Sequence, residues 1–153
     1  METTLSRIHT SSNFNESLSG ADLMIEAVYE DIEVKKDLFR KADFTCPRKT
    51  ILASNTSTLS ITEMGAVTRR AEKCIGTHFL IPAALTPLVE VVRGMDTSDG
   101  TQDTVISFLT KCGKETVTVD DSPGFCYQPS LSSHGKRGLL CPGSLFSKCR
   151  GDR

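Results

Sequence analysis

Two hydrophobic periods alternate along this chain, and that alternation limits the fold more than any other feature. Ala21–Val28 (ADLMIEAV) is short and mostly apolar, as a buried strand is. Ile32, Val34, Leu38, Phe39 and Ala42 then recur at roughly helical spacing, with Glu33 and Lys36 placed as an i,i+3 pair. Pro47 follows that helix, and Thr50–Ala53 opens a second strand. Ser60-Ile61-Thr62-Glu63 fits a capping box at the start of a short helix. Lys73–Phe79 (KCIGTHF) and Leu88–Arg93 (LVEVVR) read as two more strands. Val105, Phe108, Leu109 and Cys112 follow i, i+3, i+4, i+7 between an N-cap at Ser98 and Gly113 at the C-terminal end. Glu115–Val119, with four β-branched residues in succession, is the last strand. Strands alternating with helices predict an α/β fold: a layered, largely parallel sheet.

In such sheets ligands bind beyond the carboxyl ends of the strands. Ser54, Asn55, Thr56 and Ser57 stand directly after the second strand, where a polar cluster can face a ligand. The same hydroxyls could merely cap the next helix, and position alone does not separate the two readings. His78 closes one strand and Glu90 lies on the next, across the loop LIPAALTP. If those strands approach one another, the carboxylate can hold one imidazole nitrogen, fix the tautomer and leave the other nitrogen as a base for a substrate hydroxyl. A histidine beside Phe79 is, taken alone, more often a structural residue.

The totals exclude several classes. A length of 153 residues is one domain's worth of chain, and a net charge of −1 offers no argument for nucleic acid or an anionic membrane. No apolar run approaches the ~20 residues that cross a bilayer, and METTLSRIHTSSNF has no secretory h-region. A cytoplasmic location is the expectation. The six cysteines form no C-x-x-C pair, so free thiols are expected and no metal site is. Composition changes at residue 126: residues 126–153 hold five Lys/Arg against Asp152, net +4, whereas the preceding 125 residues carry −5. That tail has neither helical nor strand periodicity and is expected to be irregular and disordered, leaving residues 1–125 as the folded domain.

"ADLMIEAVYEDIEVKKDLF", "TILASNTSTLSITEM", "IGTHF", "PLVEVVRG", "TSD" and "DSPGF" occur in this order. Together they resemble the NAD-binding domain of the L-3-hydroxyacyl-CoA dehydrogenases, from about residue 5 to Phe125. The resemblance implies a partial Rossmann-like sheet, the second half of a dinucleotide-binding domain. It implies NAD as cofactor, an acyl-CoA substrate, and oxidation of a 3-hydroxyacyl-CoA to the 3-ketoacyl-CoA in fatty-acid metabolism. His78 would be the general base, Glu90 its orienting carboxylate, and Ser57 a hydrogen-bonding group near the reacting oxygen and the nicotinamide. Glu30 and Lys35 correspond to positions that contact the cofactor. Without the resemblance, Glu30 reads as an acid at a helix N-terminus and Lys35 as an ordinary exposed helical lysine.

The chain also departs from the family. No G-x-G-x-x-G turn is present to meet a pyrophosphate. Ile81 stands where H-F-x-N-P has asparagine, so one polar contact is lost. After "DSPGF" the chain reads Cys126-Tyr127-Gln128-Pro129, with Gln128 at the family's asparagine position and Pro129 against a helix interior. The family's helical C-terminal domain is expected to be absent. Three expectations follow. The first is a truncated dehydrogenase domain with little or no activity alone. The second is a non-catalytic interaction module whose first strand (Leu23, Met24, Ile25, Ala27 and Val28) is left as an apolar edge for a completing chain or a second copy. The third is a fragment with no function of its own.

Overall fold

The computed structural model describes residues 5–122. Their architecture is a five-stranded sheet with helices on both faces, in the order β1-β2-β3-β4-β5. The strands are β1 (Leu23–Glu26), β2 (Ile51–Ser54), β3 (Cys74–Phe79), β4 (Leu88–Arg93) and β5 (Glu115–Asp120). The helices are α1 (Phe14–Leu18), α2 (Ile32–Thr45), α3 (Ile61–Ala66) and α4 (Asp99–Lys111), with a 3-10 turn at Ala71–Lys73. Pairing is parallel for β1–β2, β2–β3 and β4–β5 but antiparallel for β3–β4, so the sheet is mixed. That reversal has a covalent cause: β3 and β4 are joined by the eight residues 80–87, too few for a parallel crossover. The tail at 126–153 and the end of the "DSPGF" motif lie outside the described residues.

Side chains alternate across the pleat, and each face of the sheet receives its own core. One face packs Met24, Leu52, Cys74, Val92 and Val119 against Phe39, Ala42 and Cys46 from α2 and its C-cap, and against Ile61 and Met64 of α3. The other packs Ile51, Ala53, Ile75, Val89 and Val91 against Val105 and Leu109 of α4. Full burial of a side chain such as Phe39, which is 0% exposed, stabilises the fold by ~1.5–3 kcal/mol.

Helix ends form where the sequence places capping groups. Asp31 accepts from the Glu33 and Val34 amides at the start of α2, and Ser98 accepts from Thr101 at the start of α4. Ser60 accepts from the Glu63 amide, as its capping box predicts, while the Glu63 carboxylate pairs with Lys36 of α2 at 3.0 Å. Gly113, at φ 74°, ends α4 in the left-handed region that glycine favours. The helical stripes are shifted from their sequence reading. In α4 the buried positions are Thr101, Val105 and Leu109, leaving Phe108 and Cys112 exposed. In α2 they are Lys35, Phe39, Ala42 and Asp43, while Val34 is exposed.

β1 and β5 are the edge strands among the described residues. Ile25 and Val28 are partly exposed and Tyr29 fully so, whereas Met24 is covered by the core. Asp43 is held by Arg69 and by the buried Arg70, whose guanidinium also donates to the carbonyls of Cys46 and Pro47. Burial alone would raise the Asp43 carboxyl; the bonds from Arg69 and Arg70 outweigh it and hold the group below its ordinary value. Among the described residues no helix is long and apolar enough to cross a membrane.

Candidate active site

The first sheet face changes character from apolar to polar at one end. β1, β2 and β3 run in the same direction, and Glu26, Ser54 and His78 occupy their carboxyl ends on that face. Period two makes this unavoidable: Met24 and Leu52 belong to the core, so Glu26 and Ser54, two residues further on, follow them onto the same face. β4 runs back past this end and brings in Glu90.

His78 and Glu90 are direct register partners on β3 and β4. The His78 Nδ1 lies 2.8 Å from Glu90 Oε2, and the two residues are 8% and 1% exposed. An ionised carboxylate only accepts, so Nδ1 carries the proton and Nε2 of the neutral imidazole is the acceptor. Nε2 points toward the loop after β2, where Ser57 Oγ stands 3.1 Å away. Ser57, His78 and Glu90 are thus brought together in one line, with the serine hydroxyl at the open end and the acid at the buried end.

The polar cluster has a division of labour. Ser54 and Thr56 are fully buried and Asn55 and Ser57 partly so. Asn55 Oδ1 accepts from the Phe79 amide at 2.9 Å, fastening the loop to β3. Thr56 Oγ1 accepts from the amides of Thr58 and Leu59 and donates to Glu30. Capping of the next helix falls to Ser60 and to Asp121, whose Oδ2 accepts from the Ser60 hydroxyl at 2.7 Å and the Thr62 amide at 2.8 Å. Asp121 fixes α3 beside the site, a contact 59 residues long that no local pattern announces.

Glu30 and Lys35 are also at this end of the sheet. Glu30 is 42% exposed by side chain, and its Oε1 accepts from the Ser57 amide at 3.0 Å and the Thr58 amide at 3.3 Å. Partial burial would raise its carboxyl, but the Thr56 hydroxyl, the Ser57 amide and the nearby Lys35 ammonium together hold it below its ordinary value. Lys35 is no exposed helical lysine. It is 1% exposed, with Nζ 2.9 Å from both oxygens of Glu26, 3.3 Å from the Val28 carbonyl and 3.4 Å from Glu30. Glu26, 4% exposed, was not singled out by the sequence, where it reads as one polar interruption in a strand.

Whether a dinucleotide fits can be judged from the donor set. Around the Ser57–His78 end stand a hydroxyl and the partly exposed Glu30 carboxylate, which suit the uncharged carboxamide and ribose hydroxyls of a nicotinamide nucleoside. A pyrophosphate needs backbone amides of a glycine turn or a free cation, and the cation here, Lys35, is already neutralised by Glu26 and Glu30. The described residues therefore fit the nicotinamide side of the cofactor.

A layered sheet with a hydrogen-bonded His–Glu pair beside the carboxyl ends of β1, β2 and β3 is of the dinucleotide-binding α/β class. The comparisons narrow the class. Residues 1–122 match the family model described as 3-hydroxyacyl-CoA dehydrogenase, NAD binding domain. The 3-hydroxybutyryl-CoA dehydrogenase of Clostridioides difficile is 46% identical over 121 residues, covering 79% of this chain and 43% of that protein. The mitochondrial hydroxyacyl-coenzyme A dehydrogenase of Homo sapiens is 38% identical over 125 residues, covering 82% of this chain and 40% of that protein. The crystal structure of (S)-3-hydroxybutyryl-CoA dehydrogenase PaaH1 from Ralstonia eutropha superposes with a TM-score of 0.82 at 38% identity, over 85% of this chain and 46% of that one. The chain belongs to the 3-hydroxyacyl-CoA dehydrogenase family, as its NAD-binding domain, and NAD is the cofactor of that domain. It spans less than half the length of these relatives.

Proposed function

We propose that this chain carries the proton-transfer half of a site that interconverts a 3-hydroxyacyl-CoA and its 3-ketoacyl-CoA. The observation that carries the reading is the line Ser57–His78–Glu90, with an acceptor nitrogen facing the loop and an acid behind it. His78 Nε2 takes the proton of the substrate 3-hydroxyl, and the imidazolium formed is balanced by the Glu90 carboxylate already in contact with Nδ1. When the substrate hydroxyl takes its place at Nε2, the Ser57 hydroxyl turns its single proton from that nitrogen to the substrate oxygen and donates to it as it becomes a carbonyl. NAD, when bound, accepts the hydride from the substrate carbon. Glu30 and Lys35 stand on the cofactor side of the site, at positions that the family resemblance gives to cofactor contact. Two relatives are named 3-hydroxybutyryl-CoA dehydrogenases, which supports a short acyl chain as the first substrate to try.

The sequence contains no G-x-G-x-x-G turn, so we expect turnover to require that unit from elsewhere. The experiment compares NADH loss with acetoacetyl-CoA for the 153-residue chain alone and for the chain joined behind a glycine-rich strand–helix unit from a relative. The reading predicts NADH loss only in the second case. Clear turnover by the chain alone would refute the dependence. Failure of both would favour the second reading, an interaction module, which the partly exposed apolar side chains along β1 support.

A further inference from the structure

We infer that the buried Lys35 is a positioning residue: its ammonium is the common anchor of two hydrogen-bonded arms that set where Ser57 stands relative to His78. The inference rests on the site reading above and adds to it Glu26, Ser54 and an anchoring role for Lys35. Lysine is rarely buried, because its ammonium loses hydration, and it stays buried only where partners replace the water. Besides the Val28 carbonyl at 3.3 Å, its partners are two carboxylates, and both lead toward the same loop. The first arm runs through Glu26, both of whose oxygens lie 2.9 Å from Nζ. Glu26 also accepts from the Ser54 hydroxyl, and the Ser54 oxygen in turn accepts from the Thr56 amide at 3.1 Å. The second arm runs through Glu30, whose Oε2 is 3.4 Å from Nζ and whose Oε1 accepts from the Ser57 amide at 3.0 Å. The arms therefore end on consecutive backbone amides, Thr56 and Ser57. Between them they fix the peptide plane from which the Ser57 side chain projects, and its hydroxyl is the group that meets Nε2.

Lys35 does not touch the reacting atoms, and its nearest neighbours enclose it, so its effect on the site passes through these two carboxylates. Glu26 and Ser54 acquire a role by the same argument. They are register partners on β1 and β2, so the first arm is built into the sheet itself and cannot shift without moving a strand. The second arm is the adjustable one, because Glu30 is partly exposed.

The test reads the resonance of the unprotonated His78 Nε2 in the full chain labelled with ¹⁵N-histidine. The signal is assigned by its loss in His78→Gln. Ser57→Ala removes the hydroxyl donated to Nε2 and sets the reference shift, expected downfield. Lys35→Met is expected to reproduce that shift, and combining it with Ser57→Ala to add nothing. Where the unpaired Glu26 prevents folding, Glu26→Gln/Lys35→Met removes both charges at similar volume and is expected to give the same shift. Ser54→Ala cuts only the first arm and is expected to give part of it. A wild-type Nε2 position in the Lys35 variants or in Ser54→Ala, with Ser57→Ala shifted, overturns the positioning role and leaves the site reading standing. A wild-type position in Ser57→Ala itself overturns the site reading, and this inference falls with it.

Discussion

Substituting Gly76 by alanine should damage both the sheet and the site, and the structure gives the size of the effect. Gly76 is in the middle of β3, paired with Val92 of β4 and two residues before His78. A Cβ at this position would lie 2.7 Å from Val92 Cβ, 3.0 Å from Ile61 Cδ1 and 3.1 Å from Val92 Cγ2. Opposed Cβ atoms in antiparallel strands normally stand ~4.5–5.5 Å apart, so the strands are unusually close here. The Ile61 methyl can swing away, but Val92 Cβ is fixed to the backbone, and Val92 and Ile61 are both 0% exposed. The methyl is therefore accommodated only by moving β4 or α3, an overpacking cost of about 1–3 kcal/mol, toward the upper end. In a chain of this size that is roughly 4–12 °C in Tm. Urea unfolding followed by circular dichroism should show a lower midpoint with an unchanged slope. Ile61→Val removes one of the three contacts, so in the Gly76→Ala background it should cost less than in the wild type, with a coupling of at least ~0.5 kcal/mol. An unchanged or raised midpoint for Gly76→Ala would show that glycine is not required for this approach, and the account of the strand spacing beside His78 would be wrong.

Other outcomes follow from named groups. Glu30 has a lowered carboxyl value, so its hold on the loop is complete above the ordinary 4.5 and is lost only as pH falls through the lower value it has in the fold. The Ser57 and Thr58 amide resonances should accordingly stay fixed from neutral pH to 4.5 and move below it; a transition centred above 4.5 would contradict the assignment. Arg70→Met leaves Asp43 buried with only Arg69 as a cation and should cost ~3 kcal/mol in chemical unfolding. Burial raises the Cys46 thiol and pushes Cys74 up to about 11, whereas Cys112 is exposed. Of these three, Cys112 should be alkylated first in the native chain at neutral pH, as peptide mapping would show; early labelling of Cys74 would mean that the α3 side of the core opens readily.

Much of this architecture is legible from local pattern. Leu88–Arg93 is a strand over those residues, and the caps at Ser60 and Ser98 lie where hydroxyls precede helical periods. These features depend on neighbours in sequence, so the sequence displays them. What it conceals depends on partners far along the chain. Lys35 reads as an exposed lysine because nothing nearby reveals that Glu26, nine residues back, faces it across the top of β1. The buried stripe of α2 contains Lys35 and Asp43, and a search for apolar periodicity passes over both. Val34 and Phe108 belong to the apolar helical spacing of the sequence yet are exposed, since which stripe turns inward is decided by the sheet. The antiparallel β3–β4 pair was not specified by the strand count, although the short connection carries that information. His78 and Glu90 were legible as a pair only under the condition that their strands meet; the register supplies that condition.

The central claim is that His78 moves the substrate proton. Its most direct measurement is kcat for acetoacetyl-CoA reduction by His78→Gln against the unsubstituted chain, each joined to the same glycine-rich unit and each shown to be folded. General acid–base catalysis contributes ~10²–10⁴-fold, and the account predicts a loss of that order with little change in KM. A His78→Gln enzyme that keeps kcat within a few-fold of the original would contradict it.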